Sequence, residues 1–152
     1  MSGDVIIGYD DKPRCAWAGA GDTDLGRYHD EVWGTRTHDE SAMFEALTLG
    51  VFQVGLSWSI VFGKRDAFRR AFRDFDVAKV AAMTGRDVDR LTRDQSIIRN
   101  HAKIQGTVNN ARAMASASGP TSVYAFMQNV GVLNDHVHGC FRATDYGATT
   151  RR

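Results

Sequence analysis

A chain of 152 residues, 43% of them hydrophobic, is long enough to bury a core and too apolar to be disordered. Its net charge of +1 exerts no global pull on nucleic acid, so any contact with DNA must come from a local basic face. No run of about 18 apolar residues is present to span a membrane, and the opening MSGDVIIGYDDKPR lacks the charged start and long apolar stretch of a secretory signal, so a cytoplasmic location is expected. Residues 1–13 read as an N-terminal extension, 14–141 as one domain and 142–152 as a tail.

In chain order, helical periodicity recurs and strand-like alternation is scarce, which predicts an all-α domain of short helices. Asp39 can cap a first helix, ESAMFEALTL, whose Met43, Phe44, Leu47 and Leu49 face inward. Ser57 can cap WSIVFGKRDAFRRAF, with Ile60, Val61, Phe68 and Phe72 turned to the core. The cations Lys64, Arg65, Arg69, Arg70 and Arg73 then lie opposite the phenylalanines and read as a solvated face. Asp76 can cap VAKVAAM, and a short helix covers Asp87 to Leu91. A longer helix is expected from Ile97 to Met114, loosely broken at Gly106. Pro120 suits the first turn of another, ending at Gly131, and a last short helix should carry NDHVHGC, residues 134–140.

That last motif invites a metal. On a helix, His136 and Cys140 are four apart and share a face, while His138 points elsewhere. Structural zinc takes four Cys or His ligands, and the candidates for the other pair are Cys15 with His29 or His38. His-x-x-x-Cys by itself is a weak signal, and ordinary residues are the better reading on it alone.

The wider pattern is more specific. RCAWAGAGDTDLGRYHDEVWG at 14–34 is followed in order by FQVGLSW, KRDAFRRAFRDFDVAKVAAM, IIRNHAKI, NNARA and NDHVHGC. Together these blocks resemble the DNA-3-methyladenine glycosylase I family over nearly all of residues 14–141. The resemblance implies an all-α, helix-hairpin-helix DNA glycosylase fold stapled by a structural zinc. It implies Cys15, His29, His136 and Cys140 as the ligands. With four protein ligands such a zinc has no open position for hydroxide and takes no part in catalysis.

The implied activity is hydrolysis of the N-glycosidic bond of alkylated adenine in double-stranded DNA, with the protein acting as a monomer in base-excision repair. A base must leave the stack to be read, and a cationic alkylated adenine is attracted to aromatic faces. The resemblance places Tyr28 and Trp58 in the base pocket, with Trp17, Trp33 and Gln53 nearby. For DNA contact it points to Gly119 and Thr121 at the end of the hairpin, and Arg99 and Lys103 are the candidates from IIRNHAKI. Two departures stand out. Where the family pattern L-E-G-x-Q-A-G-L-S-W has its base-contacting glutamate, this chain has Gly50, so no catalytic residue is assigned. The family also carries a long stretch between the counterparts of NNARAM and GPTSVYAFMQ, including the first hairpin helix, which is missing here. These departures keep two alternatives in view: a catalytically inactive homologue that binds DNA or bases, and a zinc-stapled helical module with no nucleic-acid role.

Overall fold

The computed structural model describes residues 4–35 and 37–116. They fall into two units, divided at residue 36. The helices expected around Pro120 and on NDHVHGC lie outside the described residues.

The first unit departs from the all-α expectation. Strand β1 (Val5–Ile7) pairs antiparallel with β2 (Pro13–Cys15), Val5 opposite Cys15 and Ile7 opposite Pro13. Three-residue strands are too short to show alternation, so only the β-branched run VII hinted at them. Residues 1–13, read as an extension, thus contribute one whole strand and the start of the other. A Cβ at Gly8 in the connecting loop would lie 2.1 Å from Arg14 Nη1, so a larger residue there would displace that guanidinium. After a short 3-10 turn (Ala16–Ala18), helix α1 spans Asp24–Glu31. Its N-cap is Thr23, whose hydroxyl accepts from the Gly26 amide at 3.1 Å. This helix is an addition to the expected set.

All the regular elements among the described residues of the second unit are helices. Helix α2 (Glu40–Gln53) starts as expected, with Asp39 Oδ1 accepting from the Ala42 amide at 2.6 Å. The single helix expected over residues 57–72 is two: α3 (Trp58–Phe62) and α4 (Arg65–Ala71). Gly63 ends α3 and Lys64 leaves helical geometry, at φ −106° and ψ 7°. That break resets the phase. Val61, Phe68 and Phe72 are fully buried as expected, but Ile60 is half exposed. Asp76 caps α5 (Val77–Ala81), accepting from the Lys79 amide at 3.0 Å. A Thr84–Asp87 capping box opens α6 (Gly85–Arg93). Helix α7 (His101–Ser116) begins four residues later than Ile97, because Asn100 Oδ1 accepts from the Lys103 amide at 3.0 Å and so sets the start there. Gly106 does not interrupt it.

The core of this unit is a chain of phenylalanines. Phe52 lies 4.6 Å from Phe68, Phe68 stacks on Phe72 at 6.3 Å, and Phe44 meets Phe75 edge-on at 5.8 Å. Helix α7 packs across α5, α6 and α2 to close it, burying Ile104, Val108 and Ala111. Full burial of such side chains contributes about 1.5–3 kcal/mol each.

Charged side chains thread between these helices. Arg65 Nε (2.5 Å) and Arg69 Nη2 (3.0 Å) bind the buried Glu45 carboxylate and so tie α4 to α2. Lys64 donates to the Ser96 carbonyl at 2.9 Å. The solvated basic face therefore shrinks to Arg70 and Arg73. The α4–α5 connection holds Arg73, Asp74 and Phe75 at φ of 56°, 54° and 56°. Left-handed backbone costs an L-residue roughly 1–2 kcal/mol, and aspartate tolerates it better than arginine. The exposed Arg73 should thus gain from replacement. Arg73→Gly is expected to stabilise the fold by about 0.5–1 kcal/mol, net of glycine's extra unfolded-state entropy, and to raise the thermal midpoint by roughly 2 °C. An unchanged or lower midpoint would contradict this account of the turn.

No helix among the described residues is long and apolar enough to cross a membrane.

Candidate functional site

Each unit holds one cluster of the residues singled out from the sequence. In the first unit, Cys15 ends β2 and His29 sits on α1, and both are buried. His29 Nδ1 is 2.8 Å from Asp30 Oδ1. With Nδ1 facing a carboxylate, Nε2 is the ring nitrogen suited to a metal, the arrangement of a metal-binding histidine backed by a carboxylate. Asp30 is fixed in turn by Arg14, whose Nε donates to its two oxygens at 2.9 and 3.0 Å and whose Nη2 donates at 2.5 Å. Arg14 is 2% exposed and also grips Asp10 in the hairpin loop, Nη2 to Oδ2 at 2.9 Å. Burial pushes the Asp30 carboxyl up, but the hydrogen bonds from Arg14 and His29 outweigh it and hold Asp30 below the usual carboxylate range. The Arg14 hydrogen bonds hold Asp10 far below that range, and both aspartates push the Arg14 guanidinium above its ordinary value.

Trp17 and Trp33 close over this histidine. The Trp17 ring meets His29 edge-on at 5.2 Å and Trp33 at 5.0 Å, and Trp33 stacks on His29 at 6.1 Å. Tyr28 precedes His29 on α1 and is buried. Of the two histidines considered as partners for Cys15, His29 shares its unit, whereas His38 is exposed and belongs to the other. Among the described residues no three Cys, His, Asp or Glu side chains are placed to hold a metal. His136 and Cys140, the other half of the expected set, lie outside them, as do Gly119 and Thr121. What is described suits zinc in donor type and in the carboxylate behind the histidine.

In the second unit, α2 ends in a type II turn over Gln53–Leu56. Val54 has φ −55° and ψ 115°, Gly55 has φ +83°, and the Leu56 amide donates to the Gln53 carbonyl at 2.8 Å. Only glycine takes that φ without strain, which accounts for the G of GLSW. The turn presents exposed apolar side chains, Val54 at 73% and Leu56 at 38%. Gln53 and Trp58 flank it, each partly buried. Gly50, one turn back on α2, is exposed, and a Cβ added there meets nothing within 4 Å. Glu45 does not replace the missing carboxylate, because Arg65 and Arg69 occupy it.

The residues expected to touch DNA divide. Arg99 is exposed just before α7. Lys103 is engaged elsewhere: its ammonium donates to the carbonyls of Phe52 at 3.1 Å and Val54 at 2.7 Å, closing the C-terminal end of α2. Arg112 of NNARA does the same for α5, donating to Ala81 and Met83 at 3.1 and 2.8 Å. Sequence reading missed Arg14, Asp10 and Asp30; the one available signal was the aspartate immediately after the histidine in YHD.

The methyladenine glycosylase family model matches residues 17–118 and 115–143. DNA-3-methyladenine glycosylase 1 of Escherichia coli (strain K12) is 34% identical, the alignment covering 84% of this chain and 95% of that protein. That alignment runs over 178 positions, so the relative carries residues with no counterpart in this 152-residue chain. The family match breaks into its two stretches at 115–118, where the sequence had suggested a missing segment. A crystal structure of 3-methyladenine DNA glycosylase I superposes with a TM-score of 0.65 at 31% identity, covering 84% of this chain and 98% of that one. The Staphylococcus aureus 3-methyladenine DNA glycosylase I structure that addresses 3-methyladenine recognition gives 0.62 at 33% identity, covering 72% and 62%. With its motifs, its fold and these relatives in agreement, this chain belongs to the methyladenine glycosylase family.

Proposed function

We propose that this chain recognises 3-methyladenine in double-stranded DNA and hydrolyses its N-glycosidic bond. The observation that carries the reading is the shared order of family motifs along the chain, including the GLSW turn with its exposed apolar tip. Alkylation at N3 makes the adenine cationic and its glycosidic bond weak, so recognition supplies much of what catalysis needs. Trp58 and Tyr28 offer π faces to the electron-poor ring, and Gln53 offers hydrogen bonds to its edge. Leu56 and Val54 are suited to enter the gap that a flipped base leaves, as apolar wedges do in other DNA-distorting proteins. Gly119 and Thr121, which the family resemblance assigns to the end of a hairpin, would meet phosphates through main-chain amides, and Arg99 is a further candidate contact.

One structural zinc is part of this proposal, held by Cys15, His29, His136 and Cys140. When bound, it adds folding free energy and leaves the reaction to the protein's own residues. Asp30 and Arg14 orient His29 toward it. Trp17 and Trp33, named as neighbours of the base pocket, serve in this reading to keep water from that histidine.

The direct test is release of 3-methyladenine from alkylated duplex DNA by purified protein. Release above the spontaneous rate supports the glycosylase, and none at high enzyme concentration overturns it. A second reading, a homologue that binds bases without cutting, is favoured by Gly50 and by the segment missing between NNARAM and GPTSVYAFMQ. It predicts binding of free 3-methyladenine with no release.

A further inference from the structure

We propose that Lys103 is a positioning residue for base recognition, which selects the peptide orientation of the Gln53–Leu56 turn. This rests on the glycosylase reading above. Types I and II differ mainly by a flip of the central peptide plane: ψ of the second residue and φ of the third change together by about 150–170°. Here that plane is the Val54–Gly55 peptide, and glycine at 55 leaves both orientations accessible. The turn's own hydrogen bond, from the Leu56 amide to the Gln53 carbonyl, is compatible with either. It therefore cannot choose.

Lys103 can. Its ammonium reaches across from α7 to the Val54 carbonyl at 2.7 Å, the oxygen that swings away if the plane flips. A second donation to the Phe52 carbonyl at 3.1 Å anchors the lysine to the end of α2, and the ammonium lies 6.0 Å from the Phe52 ring centroid. Phe52 is completely buried, so the anchor is rigid. The two carbonyls bracket Gln53, and the turn leads directly into Ser57 and Trp58. Holding the Val54 carbonyl toward Lys103 turns the Gly55 N–H to the opposite side of the turn, because the two groups of a trans peptide are antiparallel, and so fixes which polar group the turn presents between Gln53 and Trp58.

Lys103→Met keeps the aliphatic stem and removes the donor, and three measurements on the full chain test it. Amide hydrogen exchange across residues 54–58 should speed up by about tenfold, matching loss of a charged hydrogen bond, with little change in the rest of α2. Affinity for free 3-methyladenine should fall by about tenfold. The salt dependence of binding to an undamaged duplex should stay as in the wild type. Lys103→Arg, which keeps a cationic donor, should recover most of the base affinity. A loss of about one from the salt slope with base affinity intact would make Lys103 a phosphate contact and overturn the proposal. Faster exchange with unchanged base affinity would make it a helix cap only, which also overturns it. If Lys103→Met fails to fold, Lys103→Gln, whose shorter neutral amide removes the charged donor from the Val54 carbonyl, carries the same three measurements. If the wild type binds no 3-methyladenine, the functional reading fails, while the exchange rate still decides whether Lys103 holds the turn.

Discussion

Replacing Gly50 with glutamate should tighten binding of 3-methyladenine by roughly ten- to a hundredfold, the scale of one or two charge-assisted hydrogen bonds in a partly buried site. The substitution puts a carboxylate where the family pattern has one. The structure has room for it, since a Cβ at Gly50 meets nothing within 4 Å and its backbone is ordinary helix. Stability should barely move. Glycine in a helix interior costs about 0.5–1 kcal/mol relative to good helix formers, which the change recovers. Against that, a negative charge in the last turns of α2 opposes the helix dipole by about 0.3–1 kcal/mol. The two nearly cancel, so a change in affinity at constant thermal midpoint reports the carboxylate itself. Calorimetric titration with the free base and release from alkylated DNA are the measurements. A gain in both would show that Gly50 is the main defect of the pocket. No gain in either would shift the defect to the segment absent near 115–118 and favour the non-cutting homologue.

The second large effect is on the metal. Purified protein should carry one zinc, and its removal by a chelator should cost several kcal/mol of stability, because the ions that tie distant parts of a chain contribute folding free energy directly. Cys15→Ala or His29→Ala should abolish stoichiometric binding. Asp30→Asn is the informative variant, since it keeps size and removes the charge behind His29. It should weaken zinc by roughly 10–100-fold in competition with a chromophoric chelator while helical circular dichroism is retained. Metal-free protein that melts at the same temperature as the untreated sample would show that Cys15 and His29 are simply core residues.

The reassigned cations show where sequence reading stops. Asp39 and Asp76 were legible as helix caps because a cap acts within three residues of its own backbone. The pairing of Cys15 with His29 as zinc ligands is implied by the family pattern alone; the structure adds that His29 shares a unit with Cys15 and His38 does not. Lys103 looked the same in sequence whether it faced a phosphate or a carbonyl, since an ammonium serves both. Its actual partners lie 51 and 49 residues away, beyond anything periodicity records. Arg65 and Arg69 were placed on the correct side of their helix but given the wrong surroundings, because a solvated face and a face turned to Glu45 have the same spacing.

By itself, then, the sequence determined the predominantly helical character, the helix caps at Asp39 and Asp76, the family, and the anomaly at Gly50. These are properties of single residues and near neighbours. Tertiary structure decided what each charge is for: Arg14 bridging the hairpin to Asp30, Glu45 clamped between helices, Lys103 closing α2 over the GLSW turn. The physical reason is range. A hydrogen bond within a turn is encoded by spacing, whereas one between elements exists only once burial has brought its two ends together.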